Sequence, residues 1–377
     1  MKKNKIIALI FLLFVTVGVL VACDKEDDIE IALVTDVGNI DDKSFNEGSW
    51  KGVVKYATEN NKKYAYYRPS EDSTASRVET IENAIKKGAK MVVCPGYLFE
   101  EAVYTVQNEF PETSFLLLDG EPHNADYSDY KTANNVHCIL YNEEQAGYFA
   151  GYGAVIEGYR KLGFIGGIAV PAVMRFGWGY IQGANDAAIA LDLEPTAVSM
   201  YYNYAGSFVP STELGSKMTG WYTSGAEAVF ACGGGIYLNV TAAAEAANKK
   251  VIGVDVDQAA ESKTIITSAL KELTNSVVIA LTSYYENEGK WDSNHAGKTA
   301  VLGTADDCVG LPTNETSWRF EKFTIAQYNV LYESVKSGKK VVNNDISVKT
   351  NTNEFVMYKG TETTLGLITH VDVNFAA

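Results

Sequence analysis

The feature that most constrains the fold of this chain is a strand-and-turn pattern that occurs twice. Residues 88–96 read GAKMVVCPG, and residues 225–233 read GAEAVFACG. Each copy is followed by a helical stretch and then by an apolar strand that ends in an aspartate, Asp119 in the first copy and Asp255 in the second. Repetition on this scale predicts two similar lobes, each with its own sheet.

The strands of this pattern are short and largely apolar, and they alternate with amphipathic helical stretches. Residues 29–35, 91–94 and 114–118 are continuous, largely apolar runs of the kind that is buried on both faces of a sheet. The alternation predicts a doubly wound parallel α/β sheet in each lobe. Ser44 precedes Glu47 by three residues, which is a capping-box pattern and predicts that the first helix starts at Ser44.

The length of the chain after the second copy constrains how the lobes are connected. About 120 residues follow Asp255, which is too many for a tail and too few for a third lobe. We therefore expect lobe 1 to comprise residues 29–133 and about 259–305, and lobe 2 to comprise residues 134–258 and about 306–377. Several crossings between lobes form a hinge, and the cleft between hinged lobes is a common place for a ligand.

The first 22 residues have the features of a secretory leader. Three lysines precede an apolar run that ends in Leu-Val-Ala and is followed by Cys23. This resembles a bacterial lipobox, so we expect a signal peptide at 1–22, lipid on Cys23 and a short tether at 23–28. The expected location is the outer face of the cell membrane. An ordinary signal peptide or an uncleaved anchor is the alternative.

Charge and cysteine content exclude several classes of function. The formal net charge is −15, and removal of the three leader lysines lowers it to −18, which argues against nucleic acid as a partner. The spacings of the cysteines match no metal motif, so we predict no metal and no cofactor. We expect buried thiols, although an exported protein could pair two of them. The cysteines in question are Cys94, Cys138, Cys232 and Cys308.

The carboxyl ends of the predicted strands carry candidate ligand-binding groups. Ligands of open α/β sheets bind beyond these ends, where the chain has Asp36, Asp119, Asp255 and the glycine turn 233–235. An ionised carboxylate accepts hydrogen bonds only, so it suits ligands that are rich in hydroxyl donors, such as a vicinal diol. The alternative for each aspartate is a local role in a helix cap or an Asx turn.

Two phenylalanines lie where core aromatic residues are not expected. Phe45 begins the first helix at the predicted rim, and Phe208 lies in a loop of the other lobe. Two aromatic faces from opposite lobes could enclose a planar base by stacking. Packing within the loops is the alternative for each ring.

Several segments together resemble one known family. They are TD at 35–36, DDKSFNEG at 41–48, GSF at 206–208, GVDVDQ at 253–258 and TSALK at 267–271. Over about residues 29–345 the chain resembles the basic membrane protein family, whose members are lipoprotein substrate-binding components of ABC transporters. The resemblance implies a type I periplasmic-binding-protein fold with two parallel-sheet lobes and a multi-strand hinge. It also implies a purine nucleoside as ligand, an ABC permease and ATPase as partners, and a monomer.

The resemblance also implies which residues bind the ligand. The two phenylalanines would stack on the base, while Asp36, Asn46 and Asp119 would contact the edge of the base. Asp255 and Lys271 would hold ribose hydroxyls, and Gly234 or Gly235 would add a backbone contact. The nine expected ligand-binding positions are Asp36, Phe45, Asn46, Asp119, Phe208, Gly234, Gly235, Asp255 and Lys271.

Three other functions remain open from the sequence. A sugar receptor of the same fold would also use carboxylates and aromatic faces. A nucleoside-processing enzyme could use Asp36 and Asp119 as acid and base, but the four histidines have neither metal spacing nor a nearby nucleophile, so we predict no catalytic residues. A surface sensor that signals to a partner is the third alternative.

Overall fold

The computed structural model describes residues 29–36, 38–346 and 368–374. The predicted signal peptide, the tether and Cys23 lie outside the described residues, so they stay predictions. Across the described ranges, none of the helices combines the length and the apolarity needed to span a membrane.

Lobe 1 is built on a six-stranded sheet in which every pairing is parallel. In spatial order its strands are β11 (Lys298–Leu302), β5 (Val136–Tyr141), β4 (Ser114–Leu118), β3 (Met91–Pro95), β1 (Ile31–Val34) and β2 (Tyr64–Tyr67). Its helices are α1 (Phe45–Glu59), α2 (Thr74–Lys86), α3 (Glu100–Glu109) and α8 (Leu273–Glu286). The central strands are buried along their whole length, as continuous apolar runs predict.

Lobe 2 is built on a seven-stranded sheet. Its order is β12 (Val309–Gly310), β10 (Ile265–Lys271), β9 (Lys250–Asp255), β8 (Ala228–Cys232), β6 (Lys161–Gly166), β7 (Val198–Tyr204) and β13 (Val371–Asn374). Only the pairing of β10 with β12 is antiparallel. Its helices are α4 (Glu143–Glu157), α5 (Pro171–Ala190), α6 (Thr212–Thr223), α7 (Tyr237–Ala247) and α9 (Ile325–Lys336).

The strand pattern that occurs twice in the sequence corresponds to two sheets of the same topology. The order β5-β4-β3-β1-β2 in lobe 1 matches the order β10-β9-β8-β6-β7 in lobe 2. Cys94 in β3 and Cys232 in β8 therefore occupy equivalent strands, and Asp119 and Asp255 both lie at carboxyl ends. The predicted α/β class with two parallel-sheet lobes is confirmed.

The predicted boundaries between the lobes are wrong for two strands. β5 was placed in lobe 2 by the predicted change at residue 134, but it pairs with β4 in the sheet of lobe 1. β10 was placed in lobe 1, but it pairs with β9 in lobe 2. β5 leads directly into α4, which packs on α5 of lobe 2, and β10 leads directly into α8, which packs on α1 of lobe 1. A local pattern does not encode which sheet a strand joins.

Within the described residues, the chain therefore crosses between the lobes three times, at 141–143, 271–273 and 302–309. Three adjacent connections form a hinge of the kind that allows two lobes to close on a ligand. Beside it, helices α4 and α5 pack with their backbones in contact: a Cβ atom on Gly151 would lie 2.0 Å from the carbonyl oxygen of Tyr180. This close approach fixes α4, whose first residue, Glu143, lies 3.0 Å from the ammonium nitrogen of Lys271.

Candidate ligand-binding cleft

A cavity of about 350 Å³ lies between the two lobes, at the carboxyl ends of the strands in both sheets. All nine positions expected from the sequence line it. Their chain positions span residues 36 to 271, and only the two-lobe arrangement brings them together. Which of them contact a ligand stays a prediction.

On the lobe 1 side, Asp36 and Asn46 form a fixed polar edge. The Asn46 amide nitrogen Nδ2 donates to Asp36 Oδ1 at 2.7 Å, and the backbone N–H of Asp36 donates to Asn46 Oδ1 at 3.2 Å. Asp36 Oδ1 also accepts from the backbone N–H of Gly38 at 2.6 Å. Burial raises the pKa of Asp36 in spite of these hydrogen bonds.

The helix that carries Asn46 begins as predicted, but its cap differs from the prediction. Ser44 is the residue before the first turn, yet its hydroxyl donates to Asp255 Oδ2 of the other lobe at 2.5 Å. Asp42 forms the cap instead, because its carboxylate accepts from the backbone N–H groups of Ser44, Asn46 and Glu47 at 2.9–3.1 Å. The predicted capping box does not form, because the Ser44 side chain makes no cap hydrogen bond and Glu47 accepts from the backbone N–H of Lys43 instead of Ser44.

Asp42 also receives a hydrogen bond from the Asn46 side chain at 3.0 Å. Both amide hydrogens of Asn46 are therefore held, one by Asp36 and one by Asp42. Burial raises the pKa of Asp42 to about 6, although its three backbone donors act in the opposite direction. Asp42 lines the cavity and was absent from the expected positions.

The two phenylalanines lie in different surroundings. The Phe45 ring is next to Gly96, and the ammonium nitrogen of Lys271 is 4.8 Å from its centroid. The Phe208 ring lies against Gly167 and Gly233, where an added Cβ atom would come within 2.3 and 2.8 Å of its Cδ1 atom. Only glycine leaves room for Phe208 at these two positions.

The glycine turn after β8 supports the Phe208 loop as well as lining the cavity. The backbone N–H of Gly235 donates to the carbonyl oxygen of Phe208 at 2.9 Å. An added Cβ on Gly234 would come within 2.9 Å of the Phe208 Cβ. The N–H of Gly235 is thus already engaged, and a ligand contact from either glycine stays a prediction.

A buried charged cluster lies where the lobes meet. Lys271, at the end of β10, forms an ion pair with Asp119 of lobe 1, and its Nζ lies 3.0 Å from Glu143 Oε1. Glu143 in turn accepts from Arg175 Nε at 2.5 Å. Burial opposes the charge on Lys271, but Asp119, Glu143 and Asp255 together hold its pKa above the ordinary value. The ammonium group is therefore charged and shared between the lobes.

The backbone at Asp119 and Asp255 is in the left-handed region, with φ of 59° and 64°. This conformation is uncommon for residues other than glycine and is often found at functional sites. It occurs here at equivalent positions in the two lobes, which directs both carboxylates to one cavity.

The sequence reasoning missed the amino-terminal part of α5. Phe176, Val170 and Val173 line the cavity, and Arg175 holds Glu143. The sequence could have indicated them, because α5 follows β6, and ligands of open α/β sheets bind beyond the carboxyl ends of the strands. Glu143 follows β5 in the same way.

In the part of the chain that the structure describes, no group of three or more His, Cys, Asp or Glu side chains could hold a metal ion. The same ranges contain four cysteines that are free and buried: Cys94, Cys138, Cys232 and Cys308.

A sequence model described as an ABC transporter substrate-binding protein, PnrA-like, matches residues 29–352. The chain belongs to this Bmp family. Substrate-binding proteins of this kind work with the permease and ATPase components of an ABC transporter, and they are not a class of enzyme.

Several relatives share about a quarter of their residues with this Bmp-family protein. The ABC transporter nucleoside-binding protein BmpA of Lactococcus lactis subsp. cremoris is 27% identical over 72% of this chain and 82% of its own. Basic membrane protein B of Borreliella burgdorferi is 27% identical over 88% of this chain and 90% of its own.

Solved structures confirm the predicted periplasmic-binding-protein fold. A solute-binding protein of an ABC transporter system from Aeropyrum pernix K1 has a TM-score of 0.69 at 21% identity, and it covers 84% of this chain and 94% of that one. The arabinose-binding protein AraP of Geobacillus stearothermophilus has a TM-score of 0.56 at 15% identity, covering 78% and 99%. At these identities the likeness concerns the fold alone.

Proposed function

We propose that this Bmp-family protein captures purine nucleosides in the cleft and delivers them to an ABC permease. The observation that carries the proposal is one cavity of about 350 Å³ that is bordered by an aromatic ring and a strand-end carboxylate from each lobe. A planar base fits between aromatic faces, and ribose hydroxyls fit carboxylate acceptors. The Lactococcus relative, which is described as a nucleoside-binding protein, supports the same ligand class.

The carboxylate of Asp119 favours a ligand that donates hydrogen bonds. Its Oδ2 atom is held by Lys271, while its buried Oδ1 atom has no hydrogen-bond partner among the described residues. A buried acceptor without a partner is costly by about 1–3 kcal/mol, and an N–H or O–H donor of a ligand would remove that penalty. Asp255 also lines the cavity, and its Oδ2 atom accepts from the Ser44 hydroxyl.

Lobe closure is the mechanism that this arrangement supports. The cavity takes lining residues from both lobes, and three chain crossings form the hinge. A ligand that contacts both lobes binds the closed form more tightly than the open form, so it shifts the population toward closure. The permease then receives the closed, loaded protein.

A sugar receptor is the second candidate, because AraP has the same fold. The apolar part of the cavity favours the nucleoside. Phe45, Phe176 and Phe208 all line it, together with Val170 and Val173. Sugars present hydroxyl groups around most of their surface, whereas a purine base presents two apolar faces. We therefore propose a nucleoside receptor over a sugar receptor, and we propose no catalytic activity for it.

The membrane attachment of the protein is also part of the proposal. Lipid on Cys23 would hold the protein, as a monomer, on the outer face of the cell membrane. Support comes from the basic and apolar leader and from the Leu-Val-Ala-Cys sequence that ends it. Metabolic labelling with a fatty acid tests this, because Cys23→Ala should abolish the label and release the protein.

Titration calorimetry on the protein without residues 1–22 tests the ligand class. Guanosine, inosine and adenosine should bind, whereas ribose, arabinose and free hypoxanthine should bind more weakly by about tenfold or more. Phe45→Ala should lose a stacking face and Asp255→Ala a charge-assisted hydrogen bond, and each should weaken nucleoside binding by about tenfold or more. Tyr64→Ala, on an exposed edge strand, is the matched control.

Three results would contradict the proposal. Unchanged affinity in both variants would remove the proposed site. Release of free base from inosine by the purified protein would make it an enzyme. Tight binding of arabinose without nucleoside binding would instead favour the sugar receptor.

A further inference from the structure

The loop between β4 and β5 carries two tyrosine rings on the surface. Tyr127 is 53% exposed and Tyr130 is 58% exposed. We refer to residues 120–131 as the aromatic loop. Exposed aromatic side chains that lie close together are a frequent feature of protein interfaces.

The aromatic loop rests on a buried polar pair that fixes the two rings. The His123 ring stacks on Tyr127 with centroids 4.2 Å apart, and it lies 5.1 Å from the Tyr130 ring. His123 Nδ1 is 2.7 Å from the carbonyl oxygen of Asn124, and Nε2 is 3.1 Å from Oε2 of the buried Glu100. The tyrosine rings are thus held in place while they remain exposed, which reduces the entropy lost when a partner binds them.

The aromatic loop is connected to the ligand cavity. Tyr97 lines the cavity, and its hydroxyl oxygen lies 3.0 Å from the hydroxyl oxygen of Tyr127. On the opposite side of the cavity, lobe 2 presents Val209 and Leu238, which are 49% and 51% exposed and also line the cavity. Exposed apolar groups therefore flank the mouth of the cleft on both lobes.

We propose that these two groups of side chains form the docking surface for the permease: Tyr127 and Tyr130 on lobe 1, with Val209 and Leu238 on lobe 2. The identity of the partner rests on the proposed delivery function. Hinge closure changes the separation of the two groups, so a partner whose contact sites match their separation in the closed form binds that form better than the open form. The docking surface thereby couples ligand capture to recognition.

The charge of the aromatic loop defines the chemistry of the partner. Asp126 accepts from the Ser128 hydroxyl and Asp129 from the Tyr104 hydroxyl, both at 2.6 Å, and both carboxylates remain at the surface. A permease segment with apolar residues and one or more Arg or Lys side chains fits this surface. Arg suits it best, because a guanidinium group stacks on tyrosine rings and pairs with carboxylates.

Site-specific photo-crosslinking in membranes that contain the full transporter tests the docking surface directly. Full-length protein with Tyr127→benzoylphenylalanine or Leu238→benzoylphenylalanine should crosslink to the permease subunit, identified by mass spectrometry. The same substitution at Tyr64, which lies at the amino-terminal end of the edge strand β2 and is 37% exposed, should give no such product. This readout does not depend on which ligand the protein binds.

Two outcomes of the crosslinking would overturn the proposal. One is a permease product from Tyr64 that equals the products from Tyr127 and Leu238. The other is a product from Tyr127 that contains only a second copy of this chain, which would make the surface a dimer interface.

Transport measurements separate this inference from the proposed function. The double variant Tyr127→Ala, Tyr130→Ala should bind guanosine as the unchanged protein does, yet stimulate the ATPase of the reconstituted transporter about tenfold less, the size expected when interface aromatic anchors are removed. Equal stimulation would contradict the docking surface. If the unchanged protein bound no nucleoside, the proposed function would fail while the crosslinking result still decided the docking surface.

Discussion

The two halves of the cleft each present an aromatic ring, but they hold it by opposite means. In lobe 1, Phe45 begins a helix whose first turn is held by directional hydrogen bonds from backbone N–H groups to Asp42. In lobe 2, Phe208 lies on a loop against Gly167 and Gly233, where any Cβ atom would overlap with it. Hydrogen bonds to the Asp42 carboxylate position the Phe45 ring, whereas the absence of side chains at Gly167 and Gly233 makes room for the Phe208 ring.

This difference predicts opposite sensitivities to mutation. The lobe 1 half should be destabilised when the Asp42 acceptor is removed, because the backbone N–H groups of the first turn of α1 would lose their partner. We call the space beside Gly167 and Gly233 that holds the Phe208 ring the seat of Phe208. The lobe 2 half should be destabilised when atoms are added there, because the seat has no room for them. Lys271 belongs to neither arrangement, since it joins the halves through Asp119 and Glu143.

Removal of the link between the halves should have the largest effect. Lys271→Met would leave Asp119 and Glu143 buried without their shared cation, and loss of one partner from a buried ion pair costs about 3–5 kcal/mol. The free energy of unfolding in urea should fall by that amount. Lys87→Met, at an exposed lysine, should change it by less than about 0.5 kcal/mol.

If Lys271→Met matched the Lys87→Met control within error, the two halves would be stable independently of the charged cluster. The two lobes would then be independent of each other in stability, and the charged cluster would not join them into one cleft.

The lobe 2 half is tested by adding a single carbon atom. Gly233 has φ of 140° and would place a Cβ atom 2.8 Å from Phe208, so Gly233→Ala combines backbone strain with overlap. We expect a loss of about 2 kcal/mol in stability and about tenfold or more in nucleoside affinity. Thermal unfolding and titration calorimetry measure the two effects.

Gly220→Ala is the matched control, because Gly220 lies inside α6 with open space around the missing Cβ. That variant should gain about 0.5–1 kcal/mol from helix propensity. A Gly233→Ala protein with unchanged affinity would mean that the seat of Phe208 does not position the ring for the ligand.

The residues of the cleft that local sequence patterns mark could be predicted from the sequence. Asp36, Asp119 and Asp255 were predictable, because the carboxyl ends of parallel strands converge and the strands were recognisable from their apolar runs. Asn46 and Phe45 were found because they lie in a contiguous motif at the start of a helix.

The remaining features depend on contacts that no local pattern records. The seat of Phe208 requires Gly167, about 40 residues earlier in the chain, and the charged cluster requires Glu143 and Arg175 from two different helices. The assignment of β5 and β10 to their sheets failed for the same reason, since strand pairing across a hinge is a tertiary property.

The lobe 1 half offers the smallest and most specific test, through the charge of Asp42. Burial raises its pKa from the ordinary 3.8 to about 6, against the opposing effect of its backbone donors. The folded protein then holds the proton more tightly than the unfolded chain. The contribution of Asp42 to the free energy of unfolding is fully present below about pH 4 and is lost as the pH rises through about 6.

Asp42→Asn keeps one acceptor oxygen in the cap and cannot titrate, so it isolates this effect. Relative to the variant, the unchanged protein should lose stability between pH 4 and pH 6, by at most about 1.4 kcal/mol per pH unit. Titrating groups that do not interact with Asp42 cancel in the difference between the two urea unfolding curves, so the difference reports Asp42 together with its neighbour Asp36. If the difference had the opposite slope, the helix donors would outweigh burial, and the first turn of α1 would hold Phe45 by charge as well as by hydrogen bonds.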